Sequence, residues 1–225
     1  MINYKGDHNF SVNLGFEMSY KEVLAAVTNL NAFLCSLPSN LYGSIDFKTT
    51  GAMIGAIFCS KLVGQIPNSA INPIEKGYPD IIPLSAVDST EEVLRNYPIG
   101  LEIKGTIGNS KTGVNLRAGQ MRIQNLTGIT WQAHHREVNH LMGVIWDFVN
   151  LIGNFYFPAI TGVFFSNELS IEDWGEISGT TGRNTKVTGM RSSGKQKMGQ
   201  GKVLIYDNAD YIEKYSRLLN ITKVE

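Results

Sequence analysis

Cysteine is scarce in this sequence, and the positions of the two that occur limit what they can do. Of 225 residues only Cys35 and Cys59 are cysteines, and each lies in an apolar stretch with helical periodicity. Neither belongs to a closely spaced pair of the kind that binds a metal ion or acts as a redox couple. We therefore expect two reduced, buried thiols in a cytoplasmic protein.

An excess of charge of one sign is absent as well. Lys and Arg together number 20, Asp and Glu together also number 20, and the formal net charge is +0. The whole molecule therefore has no positive field that would draw it onto nucleic acid or anionic lipid. If it binds such a polyanion, the attraction must come from a local patch.

Two kinds of targeting segment are also lacking. The first residues contain no basic segment followed by an apolar run, so a secretory signal is not expected. Residues 141–165 carry a single formal charge, Asp147, but an Asp near the centre of a bilayer costs about 2.5 to 3.5 kcal/mol. We therefore expect no membrane partner. The spacing of apolar residues instead predicts a buried helix over residues 136–152, followed by a strand over residues 155–165.

The sequence has enough apolar residues for one folded domain. It is 43% hydrophobic and 18% charged, and a chain of this length buries about two thirds or more of its surface on folding. Helical spacing of apolar residues predicts two further helices, at residues 17–37 and 50–65, each ending before a proline. Segments rich in β-branched residues predict strands at residues 78–82, 99–106 and 128–133. This order predicts an α/β fold with a central mixed β-sheet flanked by helices.

The segment around Glu102 carries the residues with the clearest chemical meaning. In Gly-Leu-Glu-Ile-Lys-Gly, strand alternation places Glu102 and Lys104 together on one face. If Asp80 on the preceding strand lies beside Glu102, two carboxylates converge where a hard divalent cation could be held by oxygen ligands. Such a site suits phosphodiester hydrolysis, because magnesium can activate the attacking water and neutralise the leaving oxygen. Lys104 could orient that water or stabilise the transition state.

The same residues resemble the signature of a known nuclease superfamily. Pro79-Asp80 followed by Glu102-Ile103-Lys104 is similar, in order and spacing, to the two halves of the PD-(D/E)XK motif. Residues 72–83 look like the approach to the active site of a type II restriction endonuclease, and the predicted order of elements extends the similarity over most of residues 17–165. The resemblance implies a restriction-endonuclease-like core in which Asp80 and Glu102 bind Mg²⁺ and Lys104 assists the attacking water.

The resemblance also implies how such a protein would act. It implies a homodimer that cuts double-stranded DNA at a short palindromic or near-palindromic site, leaving 5′-phosphate ends, in a host with a companion DNA methyltransferase. A single nuclease domain, residues 1–225, would contain a helical scaffold and dimerisation part (1–70), a catalytic core (71–165) and a DNA-recognition region (170–210). Many members take a further ligand from a glutamate on a helix before the signature. Residues 51–62 contain no acid, so Glu75 is the nearest candidate.

Two segments offer side chains for contacts with DNA. One is the predicted junction between the third strand and the next helix, where the candidates are Gln132, His134, His135 and Arg136. The other, residues 177–206, has basic residues, no acid and many small polar residues, which suits contacts with phosphates and base edges. Its candidates are Arg183, Asn184, Lys186, Arg191, Lys195 and Lys197. The plainer interpretations are polar residues that cap a helix and a solvated loop.

Alternative sites and functions stay open on the sequence alone. Asp46 and Lys48 share the acid-any-lysine spacing, but no Pro-Asp pair precedes them, and Asp46 suits a helix cap better. The three histidines between residues 134 and 140 lack the spacing that zinc proteases use. The alternatives to a restriction enzyme are a repair or structure-specific nuclease, a non-catalytic DNA-binding regulator, and an unrelated enzyme with a strand-borne Glu/Lys pair.

Overall fold

The computed structural model describes residues 2–75, 77–110, 119–152, 155–179 and 186–219. Six α-helices lie within these ranges. They are α1 (Tyr20–Ser36), α2 (Ser39–Ser44), α3 (Phe47–Val63), α4 (Glu91–Leu94), α5 (Ser192–Gln200) and α6 (Ala209–Leu218). The strands of the same ranges are β1 (Tyr4–Gly6), β2 (Ser11–Asn13), β3 (Glu17–Ser19), β4 (Ser69–Ile71), β5 (Ile81–Pro83), β6 (Glu102–Thr106), β7 (Asn109–Ser110), β8 (Leu126–Gly128), β9 (Trp131–Gln132), β10 (Leu141–Ile152), β11 (Phe155–Ser166), β12 (Val187–Thr188) and β13 (Lys202–Tyr206).

The central sheet has five strands in the order β1-β13-β11-β10-β6. Strands β6 and β10 are parallel, whereas β10 with β11, β11 with β13, and β13 with β1 are antiparallel. Short two-stranded pairs, among them β9 with β12 and β4 with β5, lie around it. The mixed α/β architecture with a central mixed sheet flanked by helices is therefore confirmed.

Helices cover both faces of the sheet. Helices α1 and α3 pack on one face, where Leu30 and Ile54 join the same hydrophobic cluster as Val144 of β10. Helix α6 packs on the other face, where Tyr215 joins the cluster that contains Ile145. Because the sheet is buried on both sides, its middle strands carry apolar residues at almost every position. No helix in the described ranges is long and apolar enough to cross a membrane.

The helix predicted over residues 136–152 is wrong. Residues 141–152 form β10, which pairs with β11 along its length, and a short 3-10 turn, Ala133–Arg136, precedes it. Trp146 packs on the α1 and α3 side and Ile145 on the α6 side, as the period of a strand requires. An apolar run buried on both sides satisfies helical and strand spacing equally, so periodicity could not separate the two. The predicted order of elements over residues 17–165, which supported the resemblance to restriction endonucleases, therefore has a strand where a helix was expected.

The first two predicted helices are present with shifted starts. Helix α1 begins after Ser19, because Ser19 and Glu22 form a capping box. Helix α3 begins after Asp46, whose carboxylate accepts a hydrogen bond of 2.6 Å from the backbone N–H of Thr49. Asp46 is therefore a helix cap, as expected. The strand predicted at residues 128–133 is divided between β8 and β9.

Candidate active site

The candidate site is built where β5 approaches β6. Ile81 and Leu101 exchange two backbone hydrogen bonds, of 3.0 and 2.8 Å, in an antiparallel bridge, and this register sets Asp80 across from Glu102. The carboxylate of Asp80 also accepts a hydrogen bond of 2.8 Å from the backbone N–H of Ile103. That N–H is available because β6 is an edge strand of the central sheet and pairs with β10 on its other side. The structure thus brings Asp80 and Glu102 together.

The two acids share a poorly solvated environment. Glu102 is only 4% exposed. Burial, followed by the charge of Glu102, raises the pKa of Asp80 to about 7, and the hydrogen bond from Ile103 opposes only part of that change. Burial also lowers the pKa of Lys104, although the charges of Glu102 and Asp80 act in the opposite direction. The pair therefore resists full ionisation near neutral pH, and a bound cation would relieve the repulsion.

The two carboxylate oxygens of Glu102 have different surroundings. Oε1 lies 2.9 Å from Nε2 of His134 and 3.6 Å from Nε2 of His135. Oε2 is buried and has no hydrogen-bond partner among the described residues. A buried carboxylate oxygen without a partner is costly, and a divalent cation between Glu102 and Asp80 would remove that cost. These two side chains therefore fit a hard cation such as Mg²⁺, which prefers oxygen ligands.

A histidine pair closes the side of the site next to Glu102. His134 and His135 lie in the 3-10 turn that follows β9. His135 is 1% exposed, and burial, followed by the charges of His134 and Lys104, holds its pKa well below the usual range. Its ring is therefore neutral. Ligand atoms of Glu102, His134 and His135 all lie within 4.8 Å of one another, a mixed oxygen and nitrogen set that suits a transition metal better than Mg²⁺.

The acids open onto a cleft between α3 and β6. It consists of two adjoining cavities, of about 670 and about 630 Å³. Glu102 and His134 line the first cavity, and Lys48 and Lys104 line the second. Both cavities are lined by Ala56, Cys59, Asp80, Ile103 and Gln132. The junction of the two cavities is therefore the place where a ligand would reach both carboxylates.

Helix α3 contributes a small-residue wall to this cleft, in addition to Phe47, Lys48 and Cys59. The wall is formed by Gly51, Ala52, Gly55 and Ala56. A Cβ added at Gly55 would meet no atom within 4 Å. On the sheet side, a Cβ added at Gly105 would lie 3.3 Å from the carbonyl oxygen of Gly51, so α3 and β6 approach closely there. The open space beside that contact admits a ligand. Small residues recur at helical spacing in this helix, and that spacing was the signal in the sequence for this wall.

Cys59 is a further neighbour of the acids that the sequence assigned only to the core. It is buried, as expected, whereas Cys35 is half-buried. Burial, followed by the charges of Asp80 and Glu102, raises the pKa of the Cys59 thiol well above its usual range. The thiol is therefore protonated at neutral pH and is a poor nucleophile or metal ligand.

The four DNA-contact candidates at residues 132–136 and the candidate ligand Glu75 lie at different distances from the site. Gln132 and His134 line the cleft, and Arg136 is partly buried with an Nε that has no hydrogen-bond partner. His135 is buried, which corrects the expectation that its side chain contacts DNA directly. Glu75 is exposed, and among the described residues it does not belong to the converging group around Glu102.

The basic segment, residues 177–206, pairs with the strand that precedes His134 and His135. Strand β12 pairs with β9, and the carbonyl oxygen of Lys186 accepts a hydrogen bond of 3.1 Å from the backbone N–H of Ala133. Lys186 is exposed, so its ammonium is free to approach a ligand beside His134. Arg183 and Asn184 lie outside the described residues.

The remaining basic candidates lie on α5 or directly before it. The ammonium of Lys197 donates hydrogen bonds of 2.7 Å to the carboxylate of Asp173 and 2.9 Å to the carbonyl oxygen of Glu168. Lys197 thus forms an ion pair with Asp173 and keeps 31% of its side chain exposed, so its contact with DNA stays a prediction. Arg191 is exposed and Lys195 is partly exposed, and both retain surface that a phosphate could reach.

Comparisons of this chain with protein families, with curated proteins and with solved structures found no match. The residues themselves, above all the facing carboxylates of Asp80 and Glu102, are therefore the only guide to function.

Proposed function

We propose that this chain is a metal-dependent nuclease that hydrolyses phosphodiester bonds of double-stranded DNA, a type II restriction endonuclease of the PD-(D/E)XK superfamily. The proposal is carried by the register between β5 and β6, which sets Asp80 across from Glu102, with Lys104 two residues further along β6. The raised pKa of Asp80 and the unpartnered Oε2 of Glu102 support a cation between the two carboxylates.

In this proposal each residue of the signature has a separate role. Asp80 and Glu102 would hold Mg²⁺, which supplies Lewis acidity at the scissile phosphate and lowers the pKa of a bound water. Their attraction for a cation is strengthened by burial, because the effective dielectric is lower than in water. Lys104 donates from Nζ to the attacking water or to a phosphate oxygen, and so orients the nucleophile and offsets the charge that develops at phosphorus.

The lysines in and near the cleft support the proposal that the substrate is a polyanion. A chain with a formal net charge of +0 needs local cations to bind DNA, and Lys48 and Lys104 supply them inside the cleft. Lys186 supplies another beside the histidine pair. Because a duplex has two antiparallel strands, two copies related by a two-fold axis would cut both of them. Such a homodimer would act in the cytoplasm, with a companion methyltransferase that protects host DNA.

The test is metal-dependent cleavage of phage and plasmid DNA by the purified chain, with MgCl₂ or with EDTA. We expect discrete, reproducible fragments that vanish with EDTA and in Glu102→Gln. Glu92→Gln is the matched control, because Glu92 is an exposed acid on α4, and it should cut as the wild type does. End sequencing of the fragments would give the recognition site.

Other outcomes of this test separate the remaining candidates. A smear that depends on Mg²⁺ and on Glu102 indicates a nuclease without a fixed site, such as a repair or structure-specific enzyme. DNA that is bound but stays intact with Mg²⁺ indicates a non-catalytic binding protein. DNA that is neither bound nor cut overturns the proposal.

A further inference from the structure

The neighbourhood of Glu102 admits two different metal sites, which use different atoms of the same residue. One site takes oxygen from Glu102 and Asp80. The other takes oxygen from Glu102 and nitrogen from His134 and His135, whose ligand atoms converge within 4.8 Å. The hydrogen bonds made by the two rings decide between these sites, because a nitrogen that carries a proton cannot bind a metal ion.

The tautomer of His135 is fixed by the backbone. Its Nδ1 accepts a hydrogen bond of 3.1 Å from the backbone N–H of Gln132, so the proton of the neutral ring must be on Nε2. The ring is 1% exposed and packs edge to face against Trp131, with 6.0 Å between ring centroids. A half-turn of this ring would put a C–H group in the place of Nδ1, and the hydrogen bond from Gln132 would be lost. Nε2–H of His135 lies 3.6 Å from Oε1 of Glu102, a distance that favours electrostatic attraction over a full hydrogen bond.

His134 contacts the same oxygen more closely. Its Nε2 lies 2.9 Å from Oε1 of Glu102, and because a carboxylate only accepts, the proton between them belongs to His134. The ring lies against His135, with 4.2 Å between centroids, and against Tyr78, with 6.4 Å. Two rings thus hold Oε1 from one side, whereas Oε2 has no partner in the part of the chain that the structure describes.

We infer that His134 and His135 are positioning residues, which hold Oε1 of Glu102 through their Nε2–H groups and leave Oε2 for the cation, and that neither ring is a metal ligand. The inference rests on the proposed function and specifies its metal site as oxygen-only. If His135 were a ligand through Nε2, its remaining proton would move to Nδ1 and face the backbone N–H of Gln132. That buried N–H would then lose its acceptor.

The experiment measures Mn²⁺ binding to the full chain without DNA, by the loss of the free-ion signal in electron paramagnetic resonance. We expect His134→Ala to raise the dissociation constant about 10- to 100-fold, the usual effect of losing a group that orients a metal ligand. His134→Gln should recover most of the affinity, because an amide N–H can replace Nε2–H. His135→Gln tests the buried ring in the same way, after urea unfolding has established that the variant is folded.

The matched control is His140→Gln. His140 contacts Glu102 through its backbone carbonyl, which accepts a hydrogen bond of 3.0 Å from the backbone N–H of Glu102, and the substitution keeps that carbonyl. Wild-type Mn²⁺ affinity is expected for this variant. In pulsed spectra of the wild type we expect no coupling from a directly bound ¹⁴N nucleus.

Each remaining outcome has a definite meaning. A directly bound ¹⁴N that disappears in His134→Ala makes the histidine a ligand and overturns the inference. Wild-type Mn²⁺ affinity in both His134→Ala and His135→Gln overturns it as well, while Mg²⁺-dependent DNA cleavage by the wild type would leave the proposed function intact. If the wild type neither binds Mn²⁺ nor cuts DNA, the proposed function fails and the inference fails with it.

Discussion

Replacing Asp80 with Asn should stabilise the metal-free protein by an amount that grows with pH. The pKa of Asp80 is raised from 3.8 to about 7, so the folded state resists an ionisation that the unfolded state accepts. At pH values below 3.8 both states hold the proton, and Asp80 brings no penalty. Between the two pKa values the penalty grows by about 1.4 kcal/mol per pH unit, and above pH 7 it levels off at ~4 kcal/mol. Asn cannot ionise, and its side-chain oxygen can still accept from the backbone N–H of Ile103.

Urea unfolding in EDTA, at pH values from about 5 to about 8, measures this difference as a change in the free energy of unfolding. The gap between Asp80→Asn and wild type should be about 1 to 2 kcal/mol at the acidic end and ~4 kcal/mol at the basic end. Saturating Mg²⁺ should narrow the gap, because it stabilises only the wild type. Asp88→Asn, at an exposed acid, is the control. A gap that does not change with pH, or an Asp80→Asn variant that is less stable than wild type at the basic end, would refute the reasoning.

Four further predictions concern catalysis, metal binding, the cleft and the core. Lys104→Ala should slow DNA cleavage by about 10²- to 10³-fold while filter binding to DNA weakens only slightly, because Lys48 and Lys186 remain; retained cleavage contradicts its role. The Mg²⁺ affinity of the wild type should fall about tenfold per pH unit below the pKa of Asp80, about 7, as calorimetry would detect. Gly55→Leu should fill the cleft and lower cleavage at least about tenfold, whereas Gly43→Leu, at a second helical glycine with open space around it, should not. Asp147→Ala should lower the unfolding free energy by about 3 kcal/mol or more, because buried backbone and tyrosine donors lose their acceptor.

The fold was predictable where local chemistry determines it. Ser19 and Asp46 start α1 and α3 because their side chains accept hydrogen bonds from the first turn, and a proline follows α1 closely. The error at β10 has a different origin. Whether an apolar run such as residues 141–152 becomes helix or strand depends on its partner, and β11 provides a strand partner for the whole of its length. That pairing is a tertiary contact, which local periodicity does not contain.

The candidate site was predictable only in part. Asp80 and Glu102 come from two strands that are close in sequence and lie side by side. The motif Pro79-Asp80 followed by Glu102-Ile103-Lys104 was therefore enough to predict that these two acids meet. The contact of His134 with Glu102 spans 32 residues and depends on where the turn after β9 lies relative to β6. The sequence therefore offered His134 and His135 as surface contacts with DNA, and the hydrogen bond of His134 to the carboxylate and the closeness of His135 to it emerged only from the fold. The small-residue wall likewise required knowing which face of α3 meets β6.

The position of β6 at the edge of the sheet has a consequence for solubility. An unpaired strand edge presents free N–H and C=O groups to which another chain can add, and proteins suppress this by covering or charging the edge. Here the bridge from Ile81 to Leu101 and the carboxylate of Asp80 on the N–H of Ile103 occupy the outer side of this strand. The acid that we propose as a cation ligand would thus also block a route to aggregation. A substitution at residue 80 that removes the acceptor would expose a strand edge as well as change the site.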